Sequence, residues 1–191
     1  SFPKTIVNSD GGLLAVTPKN PNVLWVVMLS KNAANTGTPY LYKGTFAAGN
    51  WTWELKATGN TTALGMTNGQ GFFDLVLDVS PVYENVIYVG TTSLYRSSDG
   101  GANFYAIGGY IGSYSIHPDI QDMRMLSNGD TWVTTDGGVN LTTNNFTSAT
   151  KHYALNNGLI GSAMWGFDQG WNEDIIVGGR YHNGNTAISD M

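Results

Sequence analysis

Six side chains in the C-terminal half are of the types that can cleave or grip a sugar: His117, Asp119 and Asp122, then Asp168, Glu173 and Asp174. Two carboxyl groups that flank a glycosidic bond at roughly 5–9.5 Å hydrolyse it, one as acid and the other as base or nucleophile. Asp119, Asp168 and Asp174 are the candidates for that pair. The same residues would serve equally to tie off loops or bind solvent, and both readings stand at this stage. His117, Trp165, Trp171, Arg180 and His182 are the candidates for binding, because aromatic rings offer flat stacking faces and a guanidinium a rigid fork of donors.

Other chemistries fit poorly. His117, His152 and His182 lie far apart in sequence, unlike the close ligand spacing of zinc sites, and no D-x-[DN]-x-[DN]-G calcium loop occurs. Neither a metal nor a cofactor is expected. Cysteine is absent, which excludes a disulfide framework and thiolate ligands. Clamping a substrate carboxylate with three guanidiniums would take all of Arg96, Arg124 and Arg180, and Arg96 belongs to a turn-bearing strand.

The elements that must position these residues are strands. Of 191 residues, 41% are apolar and only 12% charged, about half the usual charged share. Twenty-five glycines against six prolines indicate many tight turns, and no stretch keeps helical periodicity. Short β-branched and aromatic runs recur instead, among them Val23–Leu29, Phe72–Val79, Val86–Val89 and Asp174–Val177. The net charge is −5 and the basic residues are scattered, so a nucleic-acid footprint is not expected. No apolar run approaches the roughly 18 residues of a membrane-spanning helix. The start at Ser1-Phe2-Pro3, without Met, suggests a processed or excised piece. Four N-x-S/T sequons, at Asn50, Asn60, Asn140 and Asn145, are what a chain rich in Asn and Thr produces by chance.

Internal repetition organises the strands. Val16-Thr-Pro-Lys-Asn-Pro-Asn-Val23-Leu-Trp-Val-Val27 aligns without gaps on Val79-Ser-Pro-Val-Tyr-Glu-Asn-Val86-Ile-Tyr-Val-Gly90, and weaker copies begin at Ile116-His-Pro and Gly166-Phe-Asp. The second strand of each copy begins near 23, 86, 131 and 175, at intervals of 63, 45 and 44. A period near 45 lies in the range of propeller blades. Polar insertions at Lys31–Pro39 and Gly59–Gly71 account for the longer first interval. The expected architecture is all-β: an incomplete β-propeller of four-stranded antiparallel blades, three to four in number, over roughly 13–57, 71–107, 113–155 and 163–191. In the clearest blade the strands are Phe72–Val79, Val86–Gly90, Leu94–Ser97 and Phe104–Ile107. Trp25 and Trp132, on second strands, are expected in the core.

Between the last two strands of that blade lies Ser97-Ser-Asp99-Gly-Gly101-Ala-Asn103-Phe104. Asp99 can accept hydrogen bonds from the backbone of the turn it starts, Gly100 and Gly101 can supply positive φ, and Phe104 returns the chain to the apolar layer. The octet resembles the Asp-box, S-x-D-x-G-x-x-W/F, of bacterial neuraminidase repeats, found also in sortilin-like and xyloglucanase-like propellers. The resemblance implies an architectural role for Ser97, Asp99, Gly101 and Phe104 at the blade periphery. Thr142-Thr-Asn-Asn-Phe146 occupies the same slot of the next blade, with Asn144 replacing the Asp. A looser resemblance to bacterial Asp-box proteins runs from His117-Pro-Asp119 through Asp136-Gly-Gly-Val139 and Asn157-Gly-Leu159 to Gly178-Gly179 and Asn183-Gly-Asn185, with Gln121 where a second His is usual.

The resemblance implies a secreted or cell-surface propeller segment that binds a glycan or a surface protein, completed by more chain or by another subunit. The alternatives are a xyloglucanase-like or sialidase-like glycoside hydrolase and a structural subunit of a larger surface assembly.

Overall fold

The computed structural model describes residues 2, 9–30, 38–58, 71, 73–159, 164–180 and 184–189. The chain divides into two compact units, Ser1–Asn156 and Asn157–Met191. Among the described residues of the first unit, three four-stranded antiparallel sheets follow one another, each a simple meander. The first holds β1 (Ser9–Val16), β2 (Val23–Ser30), β3 (Thr38–Ala47) and β4 (Asn50–Thr58). In the second are β5 (Val76–Val79), β6 (Ile87–Gly90), β7 (Ser93–Ser97) and β8 (Tyr105–Gly109). The third comprises β9 (Ile120–Met125), β10 (Thr131–Thr135), β11 (Gly138–Thr142) and β12 (His152–Ala154). The second unit contains a three-stranded antiparallel sheet of β13 (Met164–Gln169), β14 (Ile175–Arg180) and β15 (Gly184–Ser189).

Burial explains why the middle sheet reads as unbroken apolar runs. All four residues of β6 are buried, yet they serve two cores. Ile87 and Val89 join Trp25, Val27, Leu41 and Phe104 against the first sheet. Tyr88 points the other way, into a cluster with Leu94, Ile120, Val133 and Phe146 against the third. A strand covered on both faces has no polar side to alternate with. Each fully buried Val, Leu or Ile contributes about 1.5–3 kcal/mol, so these two interfaces dominate the stability of the stack.

The first strands are neighbours, β1 beside β5 and β5 beside β9. Polar ties join them at both ends. The Thr17 hydroxyl donates to the Ser80 carbonyl (2.7 Å), the Met125 N–H to the Asp78 carboxylate (2.9 Å), and the Ile120 N–H to the Thr91 carbonyl (2.8 Å). Meandering sheets stacked face to face, with their first strands together, are the blades of a propeller. Three full blades fall short of the four to eight that close a ring.

Several boundaries differ from the sequence expectation. The strand expected from Phe72 begins at Val76, while β3 begins at Thr38, inside the segment expected as an insertion. Residue 72, and most of both expected insertions, lie outside the described residues. Trp25 is core, at 1% exposure, but Trp132 is 38% exposed. Trp132 lies on the face of the third blade turned away from the second, beside Arg124 and Leu141.

Candidate functional site

In a meander the start of the first strand and the turn between the second and third lie at the same end of the sheet. For the second blade that end carries Asp74, two residues before β5, and the Thr91–Thr92 turn. For the third it carries His117, Asp119, the start of β9 and the Asp136-Gly137 turn. The two blades are stitched together there, because the N–H groups of Asp119 and Ile120 donate to the carbonyls of Thr92 (3.2 Å) and Thr91 (2.8 Å). The Asp136 N–H in turn donates to the Asp119 carbonyl.

Five side chains line this rim. A register shift between Thr134 and Thr135 bulges β9 at Gln121, whose amide donates to the Asp136 carboxylate at 2.9 Å. His117 is exposed; its Nδ1 lies 2.9 Å from the Pro118 carbonyl, and its ring covers Gly137 so closely that no side chain would fit there. Asn156, two residues past β12, clasps the same turn, accepting from the Val139 N–H and donating to the Gly137 carbonyl. Asp119 is half-buried with φ at +65°, a left-handed conformation that costs a non-glycine residue free energy and often marks a functional position.

Behind Asp119 sits Asp74, 0% exposed, with its carboxyl beside that of Asp119. Burial, and then the negative charge of the Asp119 carboxyl, push its pKa up to about 7; Asp136 adds to the effect. Near neutral pH this inner carboxyl is therefore partly protonated, beside the half-buried carboxyl of Asp119. Sequence reasoning missed Asp74 by placing it within an apolar strand. A lone carboxyl inside the run Phe72–Val79 was the available signal.

The opposite end of the stack is architectural. Asp99 Oδ1 accepts from the N–H groups of Ala102 (3.1 Å) and Asn103 (2.9 Å) and from the Ser97 hydroxyl (2.8 Å), while Oδ2 accepts from the Asn103 amide (2.7 Å). These bonds, that of the Asn103 side chain foremost, hold its pKa down at about 2. Ser97 Oγ accepts from the N–H groups of Asp99 and Gly101, and Phe104 is buried in the first core. An open groove of about 480 Å³ at this end is lined by Lys19, Tyr83, Glu84 and Asn85, among others, and includes none of the residues expected to act.

The remaining candidates belong to the second unit. Asp168, on β13, is exposed, and its Oδ1 accepts from the Gln169 N–H at 2.8 Å. Asp78 and Asp122 close on the N–H groups of Val79 and Met123 in the same way, so this contact is a feature of the repeat. Asp174 is exposed just before β14, and Trp171 is 98% exposed. Trp165 and Arg180 belong by their backbones to β13 and β14, and His182 lies outside the described residues. Among the described residues no group of three or more His, Cys, Asp or Glu side chains could hold a metal ion. No helix among them is long and apolar enough to cross a membrane.

No family model matches the chain, and no curated protein does. Solved structures do. The Niastella koreensis GH74 enzyme is 15% identical over 87% of this chain and 25% of its own, with a TM-score of 0.50. YCF48 from Cyanidioschyzon merolae is 16% identical over 96% of this chain and 58% of its own, with a TM-score of 0.47. YCF48 bound to D1 peptide is 14% identical over 87% and 46%, with a TM-score of 0.46. The chain thus spans a quarter to somewhat over half of the proteins it resembles. At such identities the likeness bears on the fold, which is an all-β array of propeller blades.

Proposed function

We propose that this chain is a binding segment of a secreted or cell-surface propeller, recognising a glycan or a protein surface through the rim of Asp119. The observation that carries the reading is Asp119 itself, held at φ +65° with its carboxyl beside the buried carboxyl of Asp74. A protein keeps such a strained, charged arrangement where something is to be bound. Further blades, from this polypeptide or another subunit, cover apolar positions such as Leu14, 69% exposed on the outer face of the first blade. The test is binding of the folded chain to glycan and surface-protein arrays. A specific signal lost in Asp119→Asn, at unchanged melting temperature, supports the reading; no signal on either array, or one indifferent to Asp119→Asn, overturns it.

A second reading has one observation in its favour. A buried acid whose pKa is pushed up to about 7, beside a second carboxyl, is the pairing that general acid–base chemistry uses. A glycoside hydrolase working from Asp119, with Asp168 and Asp174 as further candidates, would release reducing sugar from xyloglucan or a sialoside. Full activity of Asp119→Asn, Asp168→Asn and Asp174→Asn would remove this reading. The local closure of Asp168 on Gln169 favours an architectural role for that residue.

A further inference from the structure

The fastened end of the stack also holds the groove of about 480 Å³, between the first and second blades. Its lining comes from three turns: Lys19 after β1, Tyr83-Glu84-Asn85 after β5, and Ser98 in the hairpin after β7. Each turn is pinned. The Lys19 N–H donates to Thr17 Oγ1 (3.3 Å), and the Thr17 hydroxyl donates to the Ser80 carbonyl (2.7 Å). Ser80 Oγ accepts from the N–H groups of Val82 (3.2 Å) and Tyr83 (3.1 Å), and the Asn85 carbonyl accepts from the Gly100 N–H (3.0 Å). A groove whose backbone is fixed before a ligand arrives gives up little freedom on binding.

The side chains within it are not used by the fold. Among the described residues, the Lys19 ammonium, the Tyr83 hydroxyl, the Glu84 carboxylate and the Asn85 amide take part in no hydrogen bond or ion pair, and Tyr83 is 58% exposed. Nor does the turn require them. The first blade makes its copy of this turn with Asn20 and Pro21 where the second has Tyr83 and Glu84. There the Asn22 carbonyl accepts from the Phe46 N–H (2.8 Å), as that of Asn85 does from Gly100. The asparagine carbonyl is the common frame, and the aromatic ring and the carboxylate are additions to it.

We propose that this groove binds a neutral oligosaccharide. Sugar hydroxyls both donate and accept, which suits an ammonium, a carboxylate and an amide that share one groove, while the apolar face of a sugar ring packs on Tyr83 and Val82. One cation and one anion leave the lining without net charge, so a charged ligand has no advantage. The volume is that of a small-molecule cleft. The site lies at the other end of the stack from Asp119 and does not rest on the reading given above for that rim.

The experiment is an NMR titration of the full chain with cellohexaose, maltohexaose and mannohexaose, following the amides of Tyr83, Asn85, Ser98 and Gly100. At least one of these sugars should give saturable shifts, whereas acidic hexagalacturonate and the polar peptide acetyl-Ser-Ala-Asn-Ala-amide should give none. Tyr83→Ala should weaken binding by about tenfold. Its side chain is exposed, so the spectrum outside the groove should stay that of the wild type. Asp119→Asn should bind the sugar as the wild type does. Silence from all three sugars, shifts matched by hexagalacturonate or by the peptide, or binding unchanged by Tyr83→Ala would each overturn the assignment, as would loss of sugar binding in Asp119→Asn. If the arrays report an Asp119-dependent ligand while the groove stays silent, the groove alone falls; if the arrays are silent and the groove binds, the Asp119 reading alone falls.

Discussion

The Tyr88 hydroxyl donates a 2.6 Å hydrogen bond to the carbonyl of Asn145, tying β6 of the second blade to the outer hairpin of the third. Burial raises the phenol's pKa well above its ordinary value, so it stays a donor. The hairpin it holds departs from the pattern of its counterpart. Thr142 Oγ1 donates to Asn144 and accepts from the N–H groups of Asn144 and Phe146, as Ser97 does with Asp99 and Gly101. Yet Asn145 and Phe146 adopt φ of 55° where Gly100 and Gly101 adopt 70° and 81°. Two residues with side chains are forced into a glycine conformation, and tertiary bonds from Tyr88 and Tyr114 to their carbonyls keep them there.

Tyr88→Phe should therefore cost about 1–3 kcal/mol, because it leaves the Asn145 carbonyl without its partner in a partly buried place. Tyr114→Phe, which strips the 2.7 Å bond to the Phe146 carbonyl, should cost a similar amount. Urea unfolding reads both. No change in either midpoint would mean that water replaces the phenols without loss.

In the second blade the fastening is local. Ser97 is fully buried and its hydroxyl serves three partners, so Ser97→Ala should destabilise by about 1–3 kcal/mol. Thermal unfolding checks this, with the matched Thr142→Val as the comparison in the third blade.

Gly101→Ala should also destabilise, by about 1–2 kcal/mol. Its φ is +81°, and an added Cβ would stand 3.3 Å from both Trp25 and Lys56. Gly166→Ala, where nothing lies within 4 Å and φ is unrestricted, should be tolerated. Equal effects of the two changes would contradict the assigned conformation of the hairpin.

Asp74 sets a pH dependence of stability. Its folded pKa of about 7 lies above the unfolded 3.8, so the folded chain binds more protons between these values. Stability should fall as pH rises from about 4 through 7, by an amount on the order of 4 kcal/mol from this group alone. Asp74→Asn should flatten that slope and raise the melting temperature at pH 8. Asp99 acts in the opposite sense and lower down: with its pKa held at about 2, its stabilisation is lost as pH falls from about 4 to 2. A melting temperature that does not change between pH 5 and 8 in the wild type would refute the placement of Asp74.

Two of the sequons illustrate how far sequence reasoning reached. Asn140 and Asn145 satisfy the glycosylation pattern, yet Asn140 is buried against His152, and Asn145 is locked at positive φ with its side chain accepting from Thr131. The pattern is written in three adjacent residues, whereas accessibility depends on strands that pair at a distance. Trp132 taught the opposite lesson: its strand was legible, but which face of the blade would find a neighbour was not.

By itself the sequence determined the things that repeat or act over a few residues. Alternation and turn residues specified short strands, a spacing near 45 specified blades, and Ser97, Asp99 and the glycines specified an outer hairpin held by its own bonds. Tertiary structure alone decided which side chains share a space. Asp74 and Asp119 stand 45 positions apart (119 − 74) and meet only because adjacent blades bring the starts of β5 and β9 to one rim. Their proton equilibrium depends on burial and on a neighbouring charge, and both are properties of the packed stack.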